Sequence, residues 1–170
     1  MGIPPVGVSI RIAPGDIENI GEIQMRSALT MKGYYEDSSE DSFTEDGWLR
    51  TGDLGSIDLD GYLIFEGRLK DMIKPGGENV STQEVEEFLM LCPGISNVAV
   101  FGMPDARLGE VPCAVVQRKT GAELDEESVR KFCKERIATF KIPKRVHFID
   151  IMPLLPNGKM DKVTLSKIFL

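Results

Sequence analysis

Apolar and polar residues alternate over Val8-Ser9-Ile10-Arg11-Ile12 and again over Glu22-Ile23-Gln24-Met25, the period-two signature of half-buried strands. Pro14-Gly15 lies between them and marks a turn. Two further segments, Ile57 to Leu59 and Tyr62 to Phe65, flank Asp60-Gly61, which predicts a β-hairpin. Beyond Arg68 the period changes. Ser81-Thr82-Gln83-Glu84 reads as a capping box, with Ser81 as the cap and Glu84 reaching back. Val85, Phe88, Leu89 and Cys92 then recur on one helical face until Pro93-Gly94 stops the helix. Residues 95–101 and 111–117 read as strands. Asp125 caps a second predicted helix, in which Val129, Phe132, Cys133, Arg136 and Ile137 recur at helical spacing. Residues 146–149 form a further short strand and 161–169 a last helix. The pattern predicts an α+β chain: a β-rich segment over 1–68 and a compact domain of mixed β-sheet and helices over 69–170.

Composition narrows the function classes. The chain has 170 residues, room for one domain or for a small domain with a piece of another. Apolar residues make up 42% and charged residues 28%, ordinary for a globular protein in water. A formal net charge of −7 argues against non-specific nucleic-acid binding. No apolar run is long enough to form a transmembrane segment. Met1-Gly2-Ile3-Pro4-Pro5 lacks the basic and apolar regions of a signal peptide, and no myristoylation signal follows Gly2, so a cytoplasmic location is expected. Residues 36–46 hold six acids and no base, a solvated surface loop. Cys92, Cys113 and Cys133 are odd in number, far apart and without metal-ligand spacing, which predicts reduced thiols in or near a core. The single histidine, His147, lies in a strand-like run and reads as structural, against a zinc site or a histidine-based triad.

Three segments have compositions that the fold does not require. Thr51-Gly52-Asp53 suits a tight turn that presents a carboxylate, and a carboxylate can accept two hydrogen bonds from a vicinal diol such as ribose. On those three residues an ordinary turn is the simpler reading. The run from Gly67 to Val80 places three cations (Arg68, Lys70 and Lys74) and the adjacent glycines Gly76 and Gly77 just before a capped helix. Glycines let a backbone approach a ligand closely, and the cations could meet phosphate. The order Gly-Lys-Ser/Thr of a Walker A loop is missing, and a plain glycine-rich surface loop fits equally well. In Pro156-Asn157-Gly158-Lys159-Met160-Asp161, Pro and Asn-Gly make a turn that exposes Lys159 at its tip. From Lys141 to Lys167 the acidic chain reverses locally: six bases (Lys141, Lys144, Arg145, Lys159, Lys162, Lys167) stand against Asp150 and Asp161. Such a surface suits a polyanion, and a mobile lysine can stabilise charge developing on a phosphoryl oxygen. By itself an exposed lysine is a solvated charge.

Taken together, the segments resemble the adenylate-forming superfamily of acyl-CoA synthetases, peptide-synthetase adenylation domains and luciferases. Met31-Lys32-Gly33-Tyr34-Tyr35 looks like its M-x-G-Y element, and Gly47-Trp48-Leu49-Arg50-Thr51-Gly52-Asp53 like its W-x-x-T-G-D motif. Gly67 to Val80 looks like G-R-x-K-D-x-I-K-x-x-G-E-x-V, and Pro156 to Asp161 like P-x-G-K-x-x. The four occur in family order across essentially the whole chain. The resemblance implies a two-step reaction. A carboxylic acid attacks ATP to give an acyl-adenylate and pyrophosphate, and a thiol, usually CoA, then displaces AMP.

The resemblance also assigns residues. Asp53 would bind the ribose hydroxyls, Arg68 would assist at ribose or phosphate, and Lys159 would be the catalytic lysine of adenylation. Lys70 would sit at the hinge of a mobile C-terminal lid and, with Lys74, near the nucleotide. Lys74, Gly76 and Gly77 would line the path of CoA. The family's phosphate loop, its Tyr-Gly-x-Thr-Glu element and its acyl pocket are absent, so residues 1–68 look like the tail of a large N-terminal AMP-binding domain. The chain by itself is expected to be inactive, and Mg2+ is expected to come with ATP rather than to bind this fragment. Two alternatives remain: an adenylation domain that loads a carrier protein, and a stand-alone binding or regulatory module.

Overall fold

A computed structural model describes residues 2–15, 19–33 and 42–169. Most of the acidic run, 36–41, lies outside the described residues, as do Tyr34 and Tyr35 of the M-x-G-Y element. The chain forms two compact units, Met1–Lys70 and Asp71–Leu170.

The first unit is an antiparallel meander of four strands in sequence order: β1 (Val8–Ile12), β2 (Gly21–Ser27), β3 (Leu49–Ile57) and β4 (Leu63–Arg68). β1 and β2 pair from Val8↔Ser27 to Ile12↔Ile23, and their alternation buries Ile23. The expected hairpin at Asp60-Gly61 is present with a wider loop. Pairing stops at Ile57↔Leu63, and the Asp58 carboxylate accepts hydrogen bonds from the Asp60 and Tyr62 N–H groups, at 3.0 and 2.8 Å. The turn chemistry of Asp58 wins over the strand propensity of Leu59 and Tyr62.

The second unit is mixed α+β. A short pair, β5 (Met72–Ile73) and β6 (Val80–Ser81), precedes helix α1 (Thr82–Met90). A three-stranded sheet follows, with β7 (Ile95–Asp105) antiparallel to β8 (Gly109–Arg118) and β9 (Arg145–Ile149) parallel to β8. Helix α2 (Glu126–Cys133) makes the crossover from β8 to β9, and α3 (Lys162–Phe169) closes the unit. The expected strands at 95–101 and 111–117 extend into one long hairpin turned by Asp105, whose Oδ1 accepts from the Arg107 and Leu108 N–H groups.

Both faces of this sheet are covered, which explains its unbroken apolar runs. Val98, Val100, Ala114 and Val116 point into a core with Val85 and Leu89 of α1 and Val129 and Cys133 of α2. Ala99, Phe101, Cys113 and Val115 point the other way, against Leu165 of α3 and Met152. All three cysteines are buried and free. His147 stacks on Phe169, ring centroids 4.9 Å apart.

Two helix expectations need correction. Ser81 caps α1 by accepting from the Glu84 N–H, but the Glu84 carboxylate binds Lys141 instead of reaching back. The full capping box belongs to α2, between Asp125 and Ser128. Second, α2 ends at Cys133, and Arg136 and Ile137 lie beyond it. Glu135 takes a left-handed φ of 66°, and the Arg136 guanidinium turns back over the Phe132 ring at 4.5 Å.

Candidate functional site

Asp53 and Arg68 are brought together in the first unit. Glu22 of β2 pairs with Leu54 and Gln24 with Arg50, so Thr51, Gly52 and Asp53 all oppose Ile23. The Thr51 hydroxyl donates to the Ile23 carbonyl at 2.7 Å and accepts from the Asp53 N–H at 3.1 Å. The tight turn expected at 51–53 is therefore a bulge within a strand. Gly52, at φ 71°, supplies the kink, and pairing resumes on either side. Asp53 then lies opposite Arg68 of β4, with Arg68 Nε 3.1 Å from Asp53 Oδ1. Their side chains are 32% and 51% exposed, so the carboxylate keeps lone pairs, and the guanidinium keeps N–H donors, for a ligand.

Lys70 is the last residue of the first unit, within the 3-10 turn Leu69–Asp71. Four residues on, Lys74 opens the loop that β5 and β6 clasp at its base through Ile73↔Val80. Pro75 is buried, while Gly76 and Gly77 are exposed at φ 63° and 92°, conformations that suit glycine. The Gly76 N–H donates to the Leu108 carbonyl at 2.9 Å, and the Lys74 N–H to Glu110 Oε1 at 2.6 Å. Lys74, Gly102, Pro104, Gly109 and Glu110 line an open cleft of about 490 Å³.

Lys159 stands on a different loop of the second unit, between β9 and α3. A small hairpin carries it: Leu154 bridges Met160, and the Leu155 N–H donates to the Lys159 carbonyl at 2.7 Å. The Lys159 N–H donates to Asn157 Oδ1 at 3.1 Å, which holds the tip. The residue is exposed, and its ammonium has no ion-pair partner among the described residues. Immediately after, Asp161 caps α3 by accepting from the Thr164 N–H and hydroxyl. These bonds hold the Asp161 carboxyl below the ordinary carboxylate range, the Thr164 N–H most strongly.

The basic stretch from Lys141 to Lys167 is less available than its sequence suggests. Lys141 is bound to Glu84, and Lys162 lies 2.6 Å from Glu86 Oε1 and 3.2 Å from Thr82 Oγ1. Sequence reasoning missed Glu86. Its side chain is only 14% exposed, and it accepts the Val100 N–H of edge strand β7 at 2.7 Å. It thereby ties α1, β7 and the start of α3 together. Burial raises its pKa above the ordinary carboxylate value, and the Lys162 charge offsets this only in part. The available signal was its place beside Val85 on the apolar stripe that runs from Thr82 to Leu89. Glu110 was also missed; nothing local in the sequence distinguishes it from a solvated strand acid.

Residues 84–159 match the family model described as the AMP-binding enzyme C-terminal domain. The second unit therefore carries an AMP-binding enzyme C-terminal domain. The chain is 45% identical over 171 aligned positions to a methyl-dioxo-octahydroindenyl-propanoyl:CoA ligase of Rhodococcus jostii, covering 96% of this chain and 33% of the relative. It is 42% identical over 149 positions to the long-chain-fatty-acid–CoA ligase FadD13 of Mycobacterium tuberculosis, covering 86% of this chain and 29% of the relative. The ATP-bound crystal structure of MatB from Rhodopseudomonas palustris superposes with a TM-score of 0.86 at 36% identity, over 99% of this chain and 35% of that one. The chain thus spans about a third of the length of the relatives it matches. The α+β architecture expected of a family member is the one observed. Among the described residues no three acidic, histidine or cysteine side chains converge to hold a metal ion, and no helix is long and apolar enough to cross a membrane.

Proposed function

We propose that this chain supplies the ribose-binding edge and the C-terminal lid of an ATP-dependent acid–CoA ligase, whose large N-terminal AMP-binding domain holds the rest of the active site. The full enzyme would join a carboxylic acid to CoA through an acyl-adenylate, releasing pyrophosphate and then AMP. The observation that carries this reading is that Lys159 and Lys74–Gly77 stand on two different loops. Two lysine-bearing loops of one compact unit, each braced by its own hydrogen bonds, suit a domain that presents them in turn to the two half-reactions.

In the first half-reaction Asp53 would accept the ribose hydroxyls, while Arg68 holds that carboxylate and turns its remaining donors to ribose or phosphate. The Lys159 ammonium would meet the charge that develops on the α-phosphate. In the second, the domain would turn about Lys70, where the two compact units meet in sequence, and Lys74, Gly76 and Gly77 would line the approach of the pantetheine arm. CoA is favoured over a carrier protein because the relatives at 42–45% identity are named as CoA ligases.

The test uses the full-length protein with ATP, CoA and a panel of carboxylic acids, the two half-reactions being measured apart. Lys159→Ala is expected to lower ATP–pyrophosphate exchange by about 100-fold or more, and to leave thioester formation from supplied acyl-adenylate within about threefold. Equal loss in both steps overturns the role of Lys159. The isolated 170-residue chain is expected to release no pyrophosphate; release at the full-length rate overturns the division of labour.

A further inference from the structure

The Lys74–Gly77 loop is shaped by a carboxylate that approaches it from behind. Glu110 lies on β8, opposite Pro104 of β7. Its Oε1 accepts the Lys74 backbone N–H at 2.6 Å, a charge-assisted bond to the loop's first residue. Two residues on, the Gly76 N–H donates to the Leu108 carbonyl at 2.9 Å. The β7–β8 hairpin therefore holds the loop at two successive points, while β5 and β6 hold only its base.

The path of the Glu110 side chain is made by a gap. Gly102 of β7 lies beneath it, and a Cβ there would fall 2.3 Å from Glu110 Oε2. Gly102 has no left-handed backbone, and a methyl group there would displace the carboxylate, the flexible end of Glu110, from its place beside the loop. An acid, a glycine on the neighbouring strand and a loop amide thus meet around the cleft that Lys74, Gly102 and Glu110 help to line.

We propose that Glu110, with Gly102 beneath it, is the positioning residue for the thioester half-reaction. It sets the shape in which Lys74, Gly76 and Gly77 receive the pantetheine arm, and it has no part in adenylation. The proposal rests on the reading of the loop given above. It acts through the backbone amide of Lys74, so it requires an acceptor oxygen at the Oε1 position. Glutamine supplies one; alanine does not.

The experiment compares Glu110→Ala, Glu110→Gln and Gly102→Ala in the full-length protein, with the two half-reactions assayed separately. For Glu110→Ala and Gly102→Ala the KM for CoA is expected to rise about tenfold, with pyrophosphate exchange within about twofold of the parent. Glu110→Gln is expected to restore the KM to within about threefold. Equal loss in both half-reactions, no loss in either, or a Glu110→Gln variant as impaired as Glu110→Ala overturns the proposal. A parent protein that forms adenylate but passes it to no thiol overturns the CoA reading instead. Hydrogen exchange of the Lys74, Gly76 and Gly77 amides then decides the positioning role: protection lost in Glu110→Ala and kept in Glu110→Gln supports it, and equal protection in all three proteins overturns it. If Gly102→Ala does not fold, the Glu110 pair carries the same contrast.

Discussion

Asp53 and Arg68 face each other across β3 and β4, with Arg68 Nε 3.1 Å from Asp53 Oδ1, just before the register between these two strands shifts at Leu54–Gly55. The pair is half open, so its main consequence is orientation rather than stability. In the full-length protein Asp53→Asn and Arg68→Ala are each expected to raise the KM for ATP about tenfold or more, while the melting temperature moves little. Arg68→Lys is expected to recover only part of the loss, since an ammonium cannot hold a carboxylate and a second oxygen in one planar fork. An unchanged KM in both variants would remove the pair from the nucleotide site.

Glu86 predicts a stability effect. Truncation to alanine leaves the Val100 N–H without its acceptor and Lys162 without its ion-pair partner, at a cost of about 2 kcal/mol. Glu86→Gln keeps an acceptor and is expected to cost less than half as much. Urea unfolding of the second unit or of the whole chain measures both. The sign with pH follows from the raised pKa. The folded state holds the Glu86 proton more tightly than the unfolded state does, so this group's contribution to stability falls as pH rises from the ordinary value of 4.5 through the raised one. The slope in that window should flatten in Glu86→Gln.

The α3 cap runs the opposite way. Hydrogen bonds from Thr164 depress the Asp161 pKa below its ordinary 3.8. Its stabilisation is present above that value and is lost as pH falls through the depressed one. Thr164→Val removes the hydroxyl, and Asp161 is expected to titrate closer to its ordinary value, as carboxyl chemical shifts would report.

The cysteines should be silent in the folded chain. Burial pushes the Cys113 and Cys133 thiols to about 11 and also raises Cys92. At pH 8 an aromatic disulfide reagent is expected to label none of the three until denaturant is added. Labelling of the native chain at the rate of a free thiol would contradict the burial.

Leu165 anchors α3 against the sheet face formed by Ala99, Phe101, Cys113 and Val115. Leu165→Ala is expected to cost about 3 kcal/mol through lost burial and the cavity left behind, measured by urea unfolding.

Element type was largely legible along the chain. Val8–Ile12 alternates and forms the expected strand, and Asp125 announces α2 because its carboxylate meets the orphan Ser128 N–H. Boundaries were less legible where two local preferences compete. Leu59 and Tyr62 favour a strand, yet Asp58 captures the amides that strand pairing would need. The candidate residues Asp53, Arg68, Lys74, Gly76, Gly77 and Lys159 were found by motif, because each motif is local and ordered.

What the sequence by itself determined is therefore the α+β class, the caps and turns, and the order of the four motifs. These depend on residues within a few positions of one another. The tertiary structure decided the rest. It turned Thr51-Gly52-Asp53 from a turn into a bulge, because Ile23 on another strand accepts the Thr51 hydroxyl. It withdrew Lys141 and Lys162 from the basic surface, because Glu84 and Glu86 claim them across 57 and 76 residues of chain (141 − 84 and 162 − 86). It also placed Glu110 behind the Lys74 amide, 36 residues away. Charge and hydrogen-bond partners separated that far in sequence are set by strand register and packing, which no local pattern encodes.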